Sequence, residues 1–327
     1  MISYTIKRIL WMIPTLLVVA FIVFALSNFM PGDPVLGLLN SDYTQEEYDA
    51  MEARLGLDKP FFPRFVNYIW GIISKFDFGV SYSTTRSVTT EINERIWVTF
   101  RLGLISCIIS ISLAILVGVV SATHQYSALD YIVTTATIFF ASAPGFWIAL
   151  MLLLLFCLKL NWLPATGLSS WKHYILPVTC NAISPIAMTA RMTRSSMLEC
   201  IRSDYVKTAR AKGLPERKVI YKHALGNALI PIVTMAGGQF GQLVGGSVII
   251  ESIFTIPGMG SYMVTGINGR DYPVIMGTTI LISAFTCCLN LLIDLAYAAI
   301  DPRIKAQFAG NKIKKEKPEK KTEEAAA

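Results

Sequence analysis

Apolar residues in this chain come in blocks near the length that crosses a bilayer, and that recurrence constrains the fold more than any other feature. The blocks lie at about 9–30, 99–121, 131–158, 174–197, 228–250 and 277–299. A transmembrane helix needs about 20 predominantly apolar residues. Composition agrees: 53% of residues are hydrophobic and 16% charged, where a soluble domain carries about 25% charged. The expected class is an all-α integral membrane protein with six transmembrane helices. The block at 174–197 is the most polar and holds Pro177 and Pro185. Prolines are tolerated where neighbouring helices satisfy the freed carbonyls, so this span is expected inside the bundle. The first block exceeds the ~7–15 residue apolar core of a signal peptide and lacks a small-x-small cleavage site, so residues 1–30 are expected to remain as an anchor helix.

Charge placement gives an orientation. Lys7 and Arg8 precede the first block, residues 191–222 carry nine basic residues against three acids, and residues 301–327 carry eight against five. With six spans these segments share one side and hold 19 of the 29 Lys and Arg. The positive-inside rule makes that side cytoplasmic, with both termini there. The net charge of +7 is then a topology signal, and nucleic acid is not an expected partner. Residues 31–97, with ten acids and six basic residues, fall outside. Within them TQEEYDAMEARLG opens with Thr44 and Glu47 at capping-box spacing and stops at Gly56. FFPRFVNYIWGIISKF places Phe61, Phe65, Tyr68, Ile69, Ile72 and Ile73 near one helical face. Two readings stand: a helix in the membrane interface, or an amphipathic helix packed on protein. SVTTEINERIWV is expected to lead helically into the second span, and the tail 301–327 is low-complexity and expected to be disordered.

No catalytic constellation is legible. His124, His173 and His223 are far apart, and HExxH, CxxC, GxSxG and GxxxxGK[ST] motifs are absent. The six cysteines show neither disulfide nor metal spacing and read as free thiols. No cofactor is expected. A self-sufficient ion-coupled carrier places ionisable residues at mid-membrane, whereas these blocks are nearly bare of charge. Asp294 is the exception, and reads either as a proton relay or as the partner of a basic residue near the interface. In the fifth block Gly237, Gly241 and Gly245 recur every four residues, widened by Gly238 and Gly246, with Gln239 and Gln242 among them. Such a stripe suits close helix packing, and leaves room for a polar pathway as the alternative.

The stretch DYVKTARAKGLPERKVIYKHALGNALIP (204–231) is punctuated more than topology requires. Ser203 or Asp204 can cap a helix over YVKTARAK, Gly213 suits a left-handed stop, and Pro215 with Glu216 suits a new start. Two short helices meeting at an angle are expected, the first presenting Tyr205 and Ala209 among cations. A docking surface explains this punctuation, where a plain basic loop does not.

Taken together, IKRIL (6–10), MPGDP (30–34), LGLDKP (55–60), FDFGVSY (76–82), SAPGFW (142–147), LPATG (163–167), DYVKTARAKGL (204–214), HALGNALIP (223–231), IESIFTIPGMG (250–260) and DPRIK (301–305) resemble the permease subunits of binding-protein-dependent ABC importers. The likeness is greatest to the B-type subunit of oligopeptide and dipeptide permeases, and runs over about residues 1–305. It implies a type I ABC importer (MetI-like) architecture in the bacterial cytoplasmic membrane, with an anchor helix at 1–30, an extracytoplasmic segment at 31–97, a core at 98–300, a cytoplasmic coupling loop at 199–226 and a tail at 301–327. It implies two separate ABC ATPase subunits, a homologous second permease and an extracytoplasmic solute-binding protein, with no catalysis on this chain. Asp204, Tyr205, Lys207, Thr208, Ala209, Arg210, Lys212, Gly213 and Leu214 would couple to the ATPase. The literal EAA letters of the family's coupling motif are absent: Lys207-Thr208-Ala209 stand there, with Gly213 as its glycine. Pro257, Gly258, Met259 and Gly260 are candidates for docking the solute-binding protein. Di- or oligopeptides are the implied cargo, with nickel or another small solute as the alternative.

Overall fold

The structure is a computed structural model that describes residues 2–29, 32–39, 42–245 and 247–300. Met30, Pro31, Gly246, the DPRIK motif and the tail 301–327 lie outside the described residues. Among the described residues thirteen helices follow one another: α1 (Ile2–Phe29), α2 (Gln45–Leu55), α3 (Phe61–Lys75), α4 (Val88–Thr123), α5 (Ala128–Ser142), α6 (Gly145–Leu153), α7 (Lys172–Arg202), α8 (Asp204–Ala211), α9 (Glu216–Lys218), α10 (Leu225–Gly245), α11 (Val248–Ile253), α12 (Met259–Asn268) and α13 (Tyr272–Ile300). A π-helical turn over Leu154–Lys159 extends α6, and another over Val219–Ala224 joins α9 to α10. Among the described residues the only strand-like pairing is one isolated bridge, Val80 with Ser87.

Among the described residues four runs are long and apolar enough to cross a membrane: Thr5–Phe29, Val88–Thr123, Glu216–Ile253 and Tyr272–Leu295. A fifth exists if α5 and α6 count as one span. The sequence predicts an unbroken third span over 131–158, whereas the chain bends by 103° between α5 and α6. The cause is local. Ala143 precedes Pro144, and the proline ring pushes the residue before it out of the helical region. Ala143 accordingly takes φ −73°, ψ 133°, and Pro144 caps the helix that restarts at Gly145. The fourth expected span matches α7, which has the length to cross but is too polar to count as an apolar span.

That polarity is explained by where α7 lies. It packs along α4 and also touches α5, α6 and α10, and Leu176, Val178, Ala182, Ala187, Ala190 and Met197 are buried along it. Backbones come close here: a Cβ on Gly118 of α4 would lie 2.5 Å from Thr193 Cβ and 2.7 Å from the Ala190 carbonyl. Small residues permit such approach.

α4 has 36 residues, and at 1.5 Å per residue spans about 54 Å. Its two ends therefore mark opposite ends of the molecule. At its start, Val88 and Ile92 join Phe78, Met259, Tyr262 and Val274 in one cluster. At its finish, Val119 and Ala122 join Met197, Val206, Val219 and Ile232 in another. The α2–α3 hairpin sits at the first end. Thr44 and Glu47 form the expected capping box, and Gly56 ends α2 at φ +66°. In α3, Phe61, Phe65, Tyr68, Ile69 and Ile72 pack inward, Phe61 and Phe65 against Phe21 and Phe24 of α1. Phe62, Val66, Trp70 and Ile73 form the next arc round the helix and stay exposed. Ile73, expected on the same face as Phe61 and Phe65, belongs to this second arc.

Candidate functional site

At the far end of α4, α8 projects from the α7–α10 junction as a short helix of its own. Ser203 leaves the helical region (φ −71°, ψ 154°) and breaks α7 from α8. It is the N-terminal cap residue by position, yet its Oγ donates back to the Cys200 carbonyl at 2.5 Å and does not cap α8. After α8, Gly213 takes φ +75°, and its N–H reaches the Arg210 carbonyl at 2.9 Å. Glycine suits this left-handed position. A Cβ there would meet nothing within 4 Å, so the turn faces open space. Pro215 then precedes α9, as its fixed φ favours.

α8 has two unlike faces. Val206 and Ala209 are buried in the cluster with Met197, Val219 and Ile232, and Leu214 packs against its edge. Ala209 was expected on the presented face, and the structure turns it inward. Asp204, Tyr205, Lys207, Thr208, Arg210, Lys212 and Gly213 are exposed. Two of the cations already have partners. Lys207 Nζ donates to Asp204 Oδ1 at 2.9 Å, and this ammonium holds the Asp204 carboxyl below the usual carboxylate range. Arg210 binds Glu216 through Nε and a terminal nitrogen at 3.1 and 2.6 Å, fastening the turn across Gly213.

Beside α8 lies an ion pair that sequence reasoning missed. Asp130 of α5 is buried, and Arg194 of α7 grips both its oxygens at 2.7 Å. Ser121 Oγ of α4 donates to it at 2.5 Å and the Tyr126 N–H at 3.0 Å. One carboxylate thus joins α4, α5, α7 and the turn between α4 and α5. Arg202 adds a bond to Gln125 at 3.1 Å.

At the opposite end, the expected docking loop proves to be largely interior. Gly258, Met259 and Gly260 are buried and Pro257 is exposed. They close on Glu251, which is wholly buried. Its Oε1 accepts from Thr99 Oγ1 at 2.7 Å and from Ser247 Oγ at 2.8 Å. Its Oε2 accepts from the N–H groups of Gly260 at 2.7 Å and Ser261 at 3.2 Å. A Cβ on Gly258 would sit 2.4 Å from this carboxylate, so glycine is required by contact. No candidate metal cluster occurs among the described residues.

Comparison with known proteins decides the family. The model of the binding-protein-dependent transport system inner membrane component matches residues 114–306, and that family's N-terminal membrane component matches residues 1–103. The chain belongs to this family of ABC transporter permeases. Relatives named glutathione transport system permease protein GsiC, from Escherichia coli (strain K12) and Salmonella typhimurium (strain LT2), are each 38% identical over 305 residues, covering 93% of this chain and 99% of theirs. A chain of the MetNI methionine ABC transporter, in an inward-facing conformation, superposes with TM-score 0.56 at 18% identity, covering 64% of this chain and 96% of that one. That likeness shows a shared MetI-like fold. The protein is a permease subunit of a binding-protein-dependent ABC importer, an integral multi-pass protein of the bacterial inner membrane.

The permease's glycine stripe is divided between uses. Gly241 faces α13, where a Cβ would lie 2.9 Å from Asn290 Oδ1, and Gly245 lies near Thr286. Gly238 faces open space, Gly237 is half-buried and Gln242 is exposed. Gln239 is buried, and its Oε1 accepts from Thr189 of α7 at 2.9 Å. Asp294 is ion-paired with Arg8 of α1 at 2.8 Å.

Proposed function

We propose that this permease forms half of a pathway for short peptides and is driven through α8 by separate ATPase subunits. α8 carries the reading: it is anchored inward by Val206 and Ala209, yet its other face is exposed and a Cβ at the Gly213 turn would meet nothing within 4 Å. A helix wedged between α7 and α10 can pass a push from a partner into both. Such coupling needs two arrangements of the bundle, each favoured by a different partner state. A homologous second permease would complete the pathway and two ABC ATPases would supply the hydrolysis.

In this reading the bundle crosses the membrane six times, with α7 as a polar inner span and the bent α5–α6 pair as another. Both termini and the 199–226 loop lie in the cytoplasm, and 31–97 lies outside. A solute-binding protein would dock there, against Pro257 and the outer segment. The peptide class is supported by the glutathione permeases at 38% identity, since glutathione is itself a peptide. Nickel or another small solute remains the alternative cargo.

The test is Gly213→Asp in the assembled transporter. Peptide uptake should fall to background while membrane insertion and receptor binding persist. Uptake at the unaltered rate would remove α8 from the coupling role.

A further inference from the structure

The outer segment 31–97 is acidic as a whole, but a cavity within it is not. A partly open cavity of about 680 Å³ lies between the α2–α3 hairpin, the 79–82 turn and the outer ends of α1 and α13. Its lining includes Arg54, Lys59 and Arg64, three of the segment's six cations, and none of its ten carboxylates. Two of the other cations, Arg86 and Arg95, are held on Glu91 at 3.2 and 2.6 Å. Arg64 is partly engaged, donating to Asn28 at 3.0 Å with its guanidinium over Phe24. Neither Arg54 nor Lys59 has a bonded partner among the described residues.

Neutral donors line the same space. The Tyr68 hydroxyl is buried with no partner among the described residues. Burial and the nearby Asp77 push this phenol up, and burial raises Tyr82 to about 12, so both remain O–H donors. A buried donor without a partner costs about 1–3 kcal/mol, which an acceptor on a ligand would recover. Asp271 does not line the cavity, and its carboxylate is taken by Ser81 Oγ at 2.6 Å and by Ser83 N and Oγ at 3.1 and 3.0 Å. Leu38, Met51, Phe78 and Met276 supply apolar walls. Mostly apolar walls with a few polar anchors are the pattern of small-molecule sites of roughly 300–1,000 Å³.

We propose that this cavity binds a small organic acid with an apolar body, of the size of a di- or tripeptide, through its carboxylate. The arginines and Lys59 meet the anion, with Tyr68 and Tyr82 donating to it, and the apolar walls cover the rest. The choice of an acid rests on the cavity alone; the choice of a peptide rests on the transport reading.

The full-length chain in zwitterionic nanodiscs is titrated calorimetrically with Ala-Ala-Phe, with its C-terminal amide, and with phenylpropionate. Ala-Ala-Phe should saturate one site, with the amide at least tenfold weaker. Arg54→Gln with Lys59→Gln should weaken the acid at least tenfold. The amide comparison uses the unaltered chain, so it holds whether or not the variant folds. Binding of phenylpropionate without Ala-Ala-Phe would support the acid site and overturn its peptide class. Saturation by neither acid, or equal affinity for acid and amide, would overturn the proposal. So would loss of the Ala-Ala-Phe site in a second set of discs carrying phosphatidylglycerol, which would make the occupant a lipid headgroup.

Discussion

Glu251 shows how one side chain can decide local structure. Its Oε1 faces two hydroxyls, which can turn to accept as well as donate. Its Oε2 faces the backbone N–H groups of Gly260 and Ser261, which can only donate. Glutamine therefore fits in one orientation, with its oxygen toward Gly260. Glu251→Gln should lower the thermal unfolding midpoint of the detergent-solubilised permease only slightly. Glu251→Ala leaves several buried donors unmet at roughly 1–3 kcal/mol each, and should lower the midpoint far more or prevent accumulation. Equal midpoints for the two variants would remove the carboxylate from this role. Glu251 was not legible as a hub in the sequence. Its neighbours Gly258 and Gly260 are close along the chain, but Thr99 is 152 residues away, and a lone acid at the end of an apolar block gives no sign of what encloses it.

At the scale of elements, local chemistry was legible and tertiary choice was not. The capping box of α2, its stop at Gly56 and the Gly213–Pro215 break all follow from residues within one turn of one another. The bend between α5 and α6 has an equally local cause in Ala143-Pro144, but the apolar residues on both sides hid it within a single block. Ala209 was misplaced because a small residue suits a docking face and a buried seam equally. α3 shows what an apolar arc leaves open: one part is packed on α1 while Phe62, Val66, Trp70 and Ile73 remain exposed. The packed arc fits the reading of a helix against protein, and the exposed arc is where the interface reading is to be tested. Trp70 should be quenched by bromine near the glycerol level of brominated lipids and little by bromine deep in the chains, as expected of a helix lying in the interface. The measurement needs Trp70 as the sole tryptophan. Quenching by aqueous iodide alone would place the arc in water.

At the scale of the whole molecule, the Asp130–Arg194 pair holds the α8 end together. Its bidentate geometry and the added Ser121 and Tyr126 bonds satisfy the carboxylate from four directions. Removing one partner of a buried pair leaves an uncompensated charge at about 3–5 kcal/mol. Asp130→Asn and Arg194→Met should each destabilise strongly, and the double variant should cost clearly less than their sum. Unfolding of the four proteins of that cycle measures the coupling. Strict additivity would show that the two side chains act separately.

α4 carries a further consequence through its length alone. About 54 Å of helix exceeds a hydrocarbon core of about 30 Å by some 20 Å even with moderate tilt. With Val119 beside α8 on the cytoplasmic side, as proposed, the surplus stands at the Val88 end, like a mast above the deck. The hairpin, the cavity and the Glu251 cradle are moored to that mast and ride at the height it sets. Deleting four residues from its first turns would draw the 79–82 turn and the hairpin behind it about 6 Å toward Thr99 and turn them by about 40°, while the Glu251 cradle, bonded to Thr99, keeps its place. Any outside partner shaped to the original height and heading would then meet a displaced landing.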